Sequence, residues 1–384
     1  MVRRNLKIDR ESMSFSLGRI SGITIRIHYT LLLFLILVIW SLAVGYMPQQ
    51  YPGLPQGSYW MIGAASGLLL IISVVIHEVC HSIVAKRFGI PVRRITLFFL
   101  GGVSELPEEP KDPNVEFKTA VAGPISSFAI ATILAILWYY SMTAGHPPEL
   151  AAILQYGASI NGALGAFNLL PAFPLDGGRI LRSTLWRLSG NMVKATRSAA
   201  KVGIGISYLM MFGGFTIAIL GGFFSGLWVI FIGLFIRSGA ESGLSQTIIS
   251  QALAGTTVNE IMTRDVTTVD SNLTIEELVD EYFLRKKHAG YPVLKGGTVV
   301  GLVTMEDIKD IPKNRWSQVT VGEVMKPLRR VATVEPEVSA ADVMYKMSRM
   351  GVGRVLVMKE GNLLGIVSRR DLTHLIHVKT ELMQ

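Results

Sequence analysis

The stretch that decides the fold is residues 59–85, YWMIGAASGLLLIISVVIHEVCHSIVA. Residues 59–76 contain no Asp, Glu, Lys or Arg. A helix of about 20 such residues spans the hydrocarbon core of a bilayer. Three ionisable side chains then arrive together, His77, Glu78 and His81, before Lys86 closes the run. On a helix, residues four apart lie on one face, so both imidazoles can grip one metal ion. Glu78, one position on, can reach a water on that ion. Zinc suits imidazole donors, and a catalytic zinc keeps three protein ligands and an open water position. The plain alternative is two core histidines beside a carboxylate, an ordinary arrangement in a soluble helix. In lipid, an unpartnered glutamate costs roughly 3 kcal/mol or more, so the metal reading carries more weight here.

The same absence of charge recurs outward from this helix. No Asp, Glu, Lys or Arg occurs in residues 29–76, 119–148, 150–175 or 202–236. Turn-rich pieces separate six candidate spans, at about 29–47, 59–85, 119–142, 150–170, 202–220 and 223–237. Half of the 384 residues are apolar, which excludes a disordered chain. The single Cys80 excludes an internal disulfide framework and a multi-cysteine metal site. Residues 1–240 hold 19 Lys+Arg against 10 Asp+Glu, whereas residues 241–384 hold 18 against 18. The net charge of +9 therefore belongs wholly to the apolar part, and no nucleic-acid partner is expected. Six basic residues precede the first span, six lie between the second and third, six between the fourth and fifth, and Arg237 ends the sixth. The positive-inside rule then predicts a multi-pass cell-membrane protein with both termini cytoplasmic. Reading the last two spans across Gly221-Gly222 as one helix would leave Arg237 on the wrong side. The first span begins too late and is too long for a cleaved signal peptide. Residues 14–28, SFSLGRISGITIRIH, alternate weakly and read as strand at the membrane surface.

Two histidines leave one ligand missing. The fourth uncharged stretch ends in Asn168-Leu169-Leu170-Pro171-Ala172-Phe173-Pro174-Leu175-Asp176-Gly177-Gly178-Arg179, and Asp176 is the only acid between Glu149 and Glu241. The two prolines break the helix, and irregular backbone at membrane depth is tolerated only where protein or a cavity surrounds it. Taken alone, Asp176 could simply cap a helix over 178–190; beside a two-histidine site lacking a carboxylate, it is the expected third ligand. Depth agrees. His81 lies five residues before Lys86 and Asp176 three before Arg179, so both motifs fall just inside the same face.

HEVCH at 77–81, Gly123-Pro124 near the start of the third span and NLLPAFPLDGGR at 168–179 together resemble the site-2 protease family of intramembrane zinc metalloproteases. The resemblance covers roughly residues 20–240. It implies that His77, His81 and Asp176 bind Zn2+, that Glu78 is the catalytic base, and that Asn168 supports the tetrahedral intermediate. An amide such as that of Asn168 can donate to a developing oxyanion, or it can simply bond between helices. The partners implied are the lipid bilayer and a transmembrane protein substrate. Residues 92–105, VRRITLFFLGGVSE, read as a strand, a Gly101-Gly102 turn and a second strand. Such a segment is expected either to pair with an unwound substrate or to cover the site.

An internal repeat fills the charge-balanced end. Residues 258–262 (VNEIM) match 321–325 (VGEVM), and 301–307 (GLVTMED) match 365–371 (GIVSRRD). Each copy reads strand, amphipathic helix, strand, strand, helix; the first copy places its helix at 275–286 and strands at 290–294 and 298–303. This is similar to a tandem pair of CBS domains. By that resemblance, Thr304 and Ser368 meet phosphate, Asp307 and Asp371 bond ribose hydroxyls, and the ligand is ATP, ADP or AMP. The same residues also serve as helix caps. Lys286, Lys287, Arg329, Arg330, Arg354 and Arg369 read as solvated charges. Paired CBS modules often associate, so a homodimer is compatible with the chain.

The predicted fold class is an α-helical polytopic membrane protein of six transmembrane helices with a C-terminal α/β tandem CBS module. The divisions are residues 1–240 (protease), 241–257 (linker), 258–315 and 316–384 (CBS domains). The predicted function is an intramembrane zinc endopeptidase regulated by adenine nucleotide. The competing reading, a CBS-regulated transporter or channel, leaves HEVCH and Asp176 at matching depth unexplained.

Overall fold

The computed structural model describes residues 14–92, 94–98, 101–104 (backbone only), 110, 112–286 and 288–382. Lys287 and the basic residues before Ser14 lie outside them. The chain divides into two compact units, residues 1–244 and 245–384.

The first unit opens with a hairpin, β1 (Ser14–Ile20) and β2 (Ile23–His28). Ser21 and Gly22 both take positive φ, 52° and 77°, the conformation that matches the twist of paired strands in a two-residue turn. At the end of β2, His28 caps the next helix by accepting from Thr30 N. That helix is α1 (Tyr29–Ser41), which continues through a π-helical segment, Leu42–Tyr46, into α2 (Met47–Gln50). After α3 (Gln56–Arg87) the chain returns to the sheet. There β3 (Arg94–Phe98) lies parallel to β2, and β4 (Gly101–Ser104) lies antiparallel to β3. Gly101 and Gly102 pair with Phe98 and Leu97 inside β4. Gly101 and Gly102 therefore belong to a strand and not to the turn expected at this pair.

Five helices follow: α4 (Pro113–Thr143), α5 (Pro148–Asn168), α6 (Asp176–Ser189), α7 (Met192–Ile219) and α8 (Phe223–Leu253). Among the described residues, six helices are long and apolar enough to cross a membrane: α1 with α2, then α3, α4, α5, α7 and α8. Their outer faces are apolar, with Leu33, Ile36, Tyr139, Phe212 and Phe224 exposed, as lipid-facing surfaces must be. α4 and α7 begin before the expected spans, at Pro113 and Met192. Their charged first turns extend the helices beyond the apolar length. α8 runs on through most of the linker expected at 241–257, which is therefore helix down to Leu253.

In the second unit each copy builds an antiparallel pair with a parallel third strand. The first copy has β5 (Val269–Asp270), β6 (Gly290–Lys295) and β7 (Thr298–Thr304). Against β7 lies the short β8 (Lys326–Pro327). The second copy has β9 (Thr333–Val334), β10 (Arg354–Lys359) and β11 (Asn362–Ser368). Both antiparallel pairs carry a register shift at matching positions, Val293/Leu294 and Val357/Met358. The amphipathic helix of the second copy is regular, Ala340–Met350, but that of the first turns π-helical over Leu278–Phe283. The two opening markers are exchanged. Val258 and Met262 pack in the core of the second copy with Val343, Val355 and Val367. Val321 packs in the core of the first with Tyr291, Val293 and Val303.

Candidate metal centre

Local sequence explains how Asp176 reaches the histidines of α3. After Asn168 the chain leaves α5, and a turn through Pro171 and Pro174 sends it back into α6. Leu175 N donates to Ala172 O and Gly178 N to Leu175 O, which closes this turn. An ideal Cβ on Gly177 would run into the Leu169 and Leu170 carbonyls, and one on Gly178 into the Ala172 and Phe173 backbone. Only glycines let α6 start so close to its own entry loop. Asp176 is the first residue of α6 and the N-cap is Leu175. The Asp176 carboxylate does not cap the helix; it points at α3.

There it meets both imidazoles. Asp176 Oδ2 lies 3.1 Å from His77 Nε2 and 3.1 Å from His81 Nε2, and the two Nε2 atoms are 3.2 Å apart. All three side chains are nearly excluded from solvent. Neighbouring ligands of a tetrahedral zinc, each roughly 2.0–2.2 Å from the ion, stand about 3.3 Å apart. The triangle of donor atoms fits that spacing. A buried carboxylate facing two imidazole nitrogens needs a cation to offset its desolvation. Among the described residues this is the trio of acids, histidines or cysteines able to hold a metal ion.

The ring orientations follow from α4. Thr119 O can only accept, so His81 Nδ1, 2.6 Å away, carries the proton and donates to it. That leaves the Nε2 lone pair of His81 facing the triangle. His77 Nδ1 bonds Ser127 Oγ at 2.9 Å; a hydroxyl can accept from Nδ1–H, which is compatible with the same tautomer. Such outer partners fix ring direction and raise ligand basicity. Between them lies Gly123, where an ideal Cβ would press on Nε2 of both histidines. α4 thus leaves open the space that an ion bound by these histidines would need. From α5, Asn161 Nδ2 donates to Ser73 Oγ at 3.0 Å, one turn before His77.

Glu78 is half-buried and makes no hydrogen bond or ion pair among the described residues, so its carboxylate is uncommitted. Asn168 is not drawn into the triangle. Its Nδ2 donates to Leu164 O, 3.0 Å away in its own helix. Sequence reasoning missed Thr119 and Ser127, and also Glu116, fully buried on α4 and bonded to Arg182 of α6. Glu116 and Arg182 carried no signal of their own, because both lie in the charged segments between the expected spans.

The four residues of the repeat turns form two capping boxes. Thr304 N and Oγ1 donate to Asp307 Oδ2 at 2.8 and 2.6 Å, and Ser368 N and Oγ to Asp371 Oδ2 at 2.7 and 2.8 Å. The first box has a further partner, Lys326 Nζ at 3.2 Å from Asp307 Oδ1. Burial depresses the pKa of nearby Arg354, an effect that the Asp307 charge opposes.

Residues 65–151 and 144–212 match Peptidase family M50, and residues 258–313 and 321–378 each match the CBS domain. Rip3 of Mycobacterium tuberculosis, which carries a zinc metalloprotease name, is 34% identical over 364 residues, 94% of this chain and 92% of its own. Zinc metalloprotease MJ0392 of Methanocaldococcus jannaschii is 31% identical over 374 residues, 96% of this chain and 98% of its own. The solved site-2 protease from Methanocaldococcus jannaschii is 32% identical, covers 60% of this chain and 95% of that one, and has a TM-score of 0.41.

Proposed function

Because the chain belongs to peptidase family M50 and is a zinc metalloendopeptidase with paired CBS domains, we propose that it cleaves transmembrane segments of other proteins, using His77, His81 and Asp176 as zinc ligands and Glu78 as the proton-transfer group. The observation that carries this reading is the convergence of three buried donor atoms, 3.1–3.2 Å apart, from α3 and α6. Zinc supplies Lewis acidity and lowers the pKa of a water molecule. Glu78 accepts a proton from the attacking water on a carboxylate oxygen, then delivers it to the leaving amide nitrogen as the C–N bond breaks. Asn168 serves the oxyanion by exchanging the Leu164 carbonyl for the charge that develops on the substrate oxygen. The edge strand β4 suits an extended substrate, since a helical one hides its carbonyls.

Both termini are cytoplasmic in this reading, because the basic residues gather on one side of the six spans. The CBS pair senses ATP, ADP or AMP and associates as a homodimer. Lys326 engages Asp307 of the first turn at 3.2 Å. The test is cleavage of a candidate transmembrane substrate by purified protein in detergent, with and without a chelator and in Glu78→Gln. Chelator-resistant cleavage, or full activity of the folded variant, would refute the proposal. A thermal shift with ATP tests the sensing role; no shift at millimolar ATP removes it.

A further inference from the structure

The Glu116–Arg182 pair is a costly feature to bury. Glu116 is 0% and Arg182 6% exposed. Arg182 Nε donates to Glu116 Oε1 at 2.8 Å, Nη2 bonds the same oxygen, and Arg179 Nε stands 3.9 Å from it. Glu116 Oε2 has no hydrogen-bond partner among the described residues. Two charges taken out of water are poor glue; an apolar pair of similar volume is often at least as stable. What such a pair offers is direction, because the planar guanidinium fork accepts few geometries.

The places it joins give that direction a purpose. On α4, Glu116, Thr119, Gly123 and Ser127 fall at spacings that share one helix face. Thr119 and Ser127 hold the two histidines, and Gly123 leaves the space between them. On α6, Arg182 lies six residues after Asp176, about 9 Å along the axis. Its guanidinium also lies over the Phe173 ring, 5.3 Å from the centroid, in the loop that leads into Asp176. One contact therefore links the helix that orients the histidines to both the helix and the loop that present the carboxylate.

We infer that Glu116 and Arg182 are positioning residues that set the register of α6 against α4, and thereby hold Asp176 at ligand distance from His77 and His81. The inference rests on the zinc-site reading above. The test uses full-length protein in detergent, comparing wild type with Glu116→Gln and Arg182→Lys. Zinc affinity is measured by competition with a chelator, the metal environment by the visible spectrum of the cobalt-loaded protein, and folding by circular dichroism and thermal melting of the metal-free form. The expected result is zinc affinity about 10- to 100-fold weaker and altered cobalt bands, with helical content retained even where the uncompensated buried charge lowers metal-free melting. Wild-type affinity and an unchanged cobalt spectrum in both variants would overturn the inference. So would loss of folded structure in both, which would make the pair structural glue. A wild-type protein that binds no stoichiometric zinc would instead refute the metal site itself.

Discussion

The two halves of this chain spend their polar side chains differently. In the membrane half, acids and histidines are few, and the buried ones among the described residues are all engaged, Glu116 with Arg182 and the other three with one another. Asp176, His77 and His81 meet at 3.1–3.2 Å, and α4 supplies a partner for each ring. In the C-terminal module, Thr304, Asp307, Ser368 and Asp371 close on each other within single turns. The difference is one of solvent. Lipid makes each uncompensated polar group expensive, so its presence there points to a use. Water makes caps cheap and common, so the same residue types carry less information about a ligand.

That contrast can be broken or sharpened by substitution. The largest effect is expected for Glu78→Gln, with cleavage reduced about 10³-fold while bound zinc, counted by elemental analysis, stays stoichiometric; lost zinc would move Glu78 from proton transfer to metal binding. Next, Gly123→Ala puts a methyl group against both Nε2 atoms and should abolish stoichiometric zinc, read by the same analysis, without removing any ligand. Retained zinc would mean that α4 can back away from the site. Asn168→Ala should lower kcat about 100-fold at unchanged zinc affinity; an effect under threefold would leave that amide as a helix bond only. Ser127→Ala should weaken zinc about 10-fold, measured by chelator competition. The smallest effect belongs to the module. Asp371→Ala should cost about 1 kcal/mol of its stability in chemical denaturation. Loss of an ATP-induced thermal shift beyond that cost would bring the module closer to the membrane half in character.

The membrane fold was legible because charge is excluded from lipid, so the gaps between charged residues marked the spans. The same criterion misplaced helix ends. Pro113, Met192 and Leu253 bound helices that continue past the apolar length, where hydropathy has no opinion. The three side chains that meet in the structure were legible from HEVCH and the isolated Asp176. Their supports were not: Thr119 acts through its carbonyl, which any residue offers, and Ser127 is one of many serines. Gly101 and Gly102 read as a turn because glycine commonly makes one, yet pairing with Leu97 and Phe98 keeps them in a strand. The repeat gave the strands of the module, while the exchange of Val258 and Val321 between cores depends on long-range packing that a periodic match does not encode.

The parallel pairing of β2 with β3 also constrains how the protein is made. Between these neighbours the chain passes out through α1 and back through α3. The sheet therefore cannot close until the first helical hairpin has been threaded into the bilayer and has returned. During synthesis the β1–β2 hairpin must wait with one edge unpaired, and a hairpin inserted with its second helix on the wrong side would never find its third strand. Closing the four short strands into one sheet thus requires α1 and α3 to bring the chain back to the end where it started.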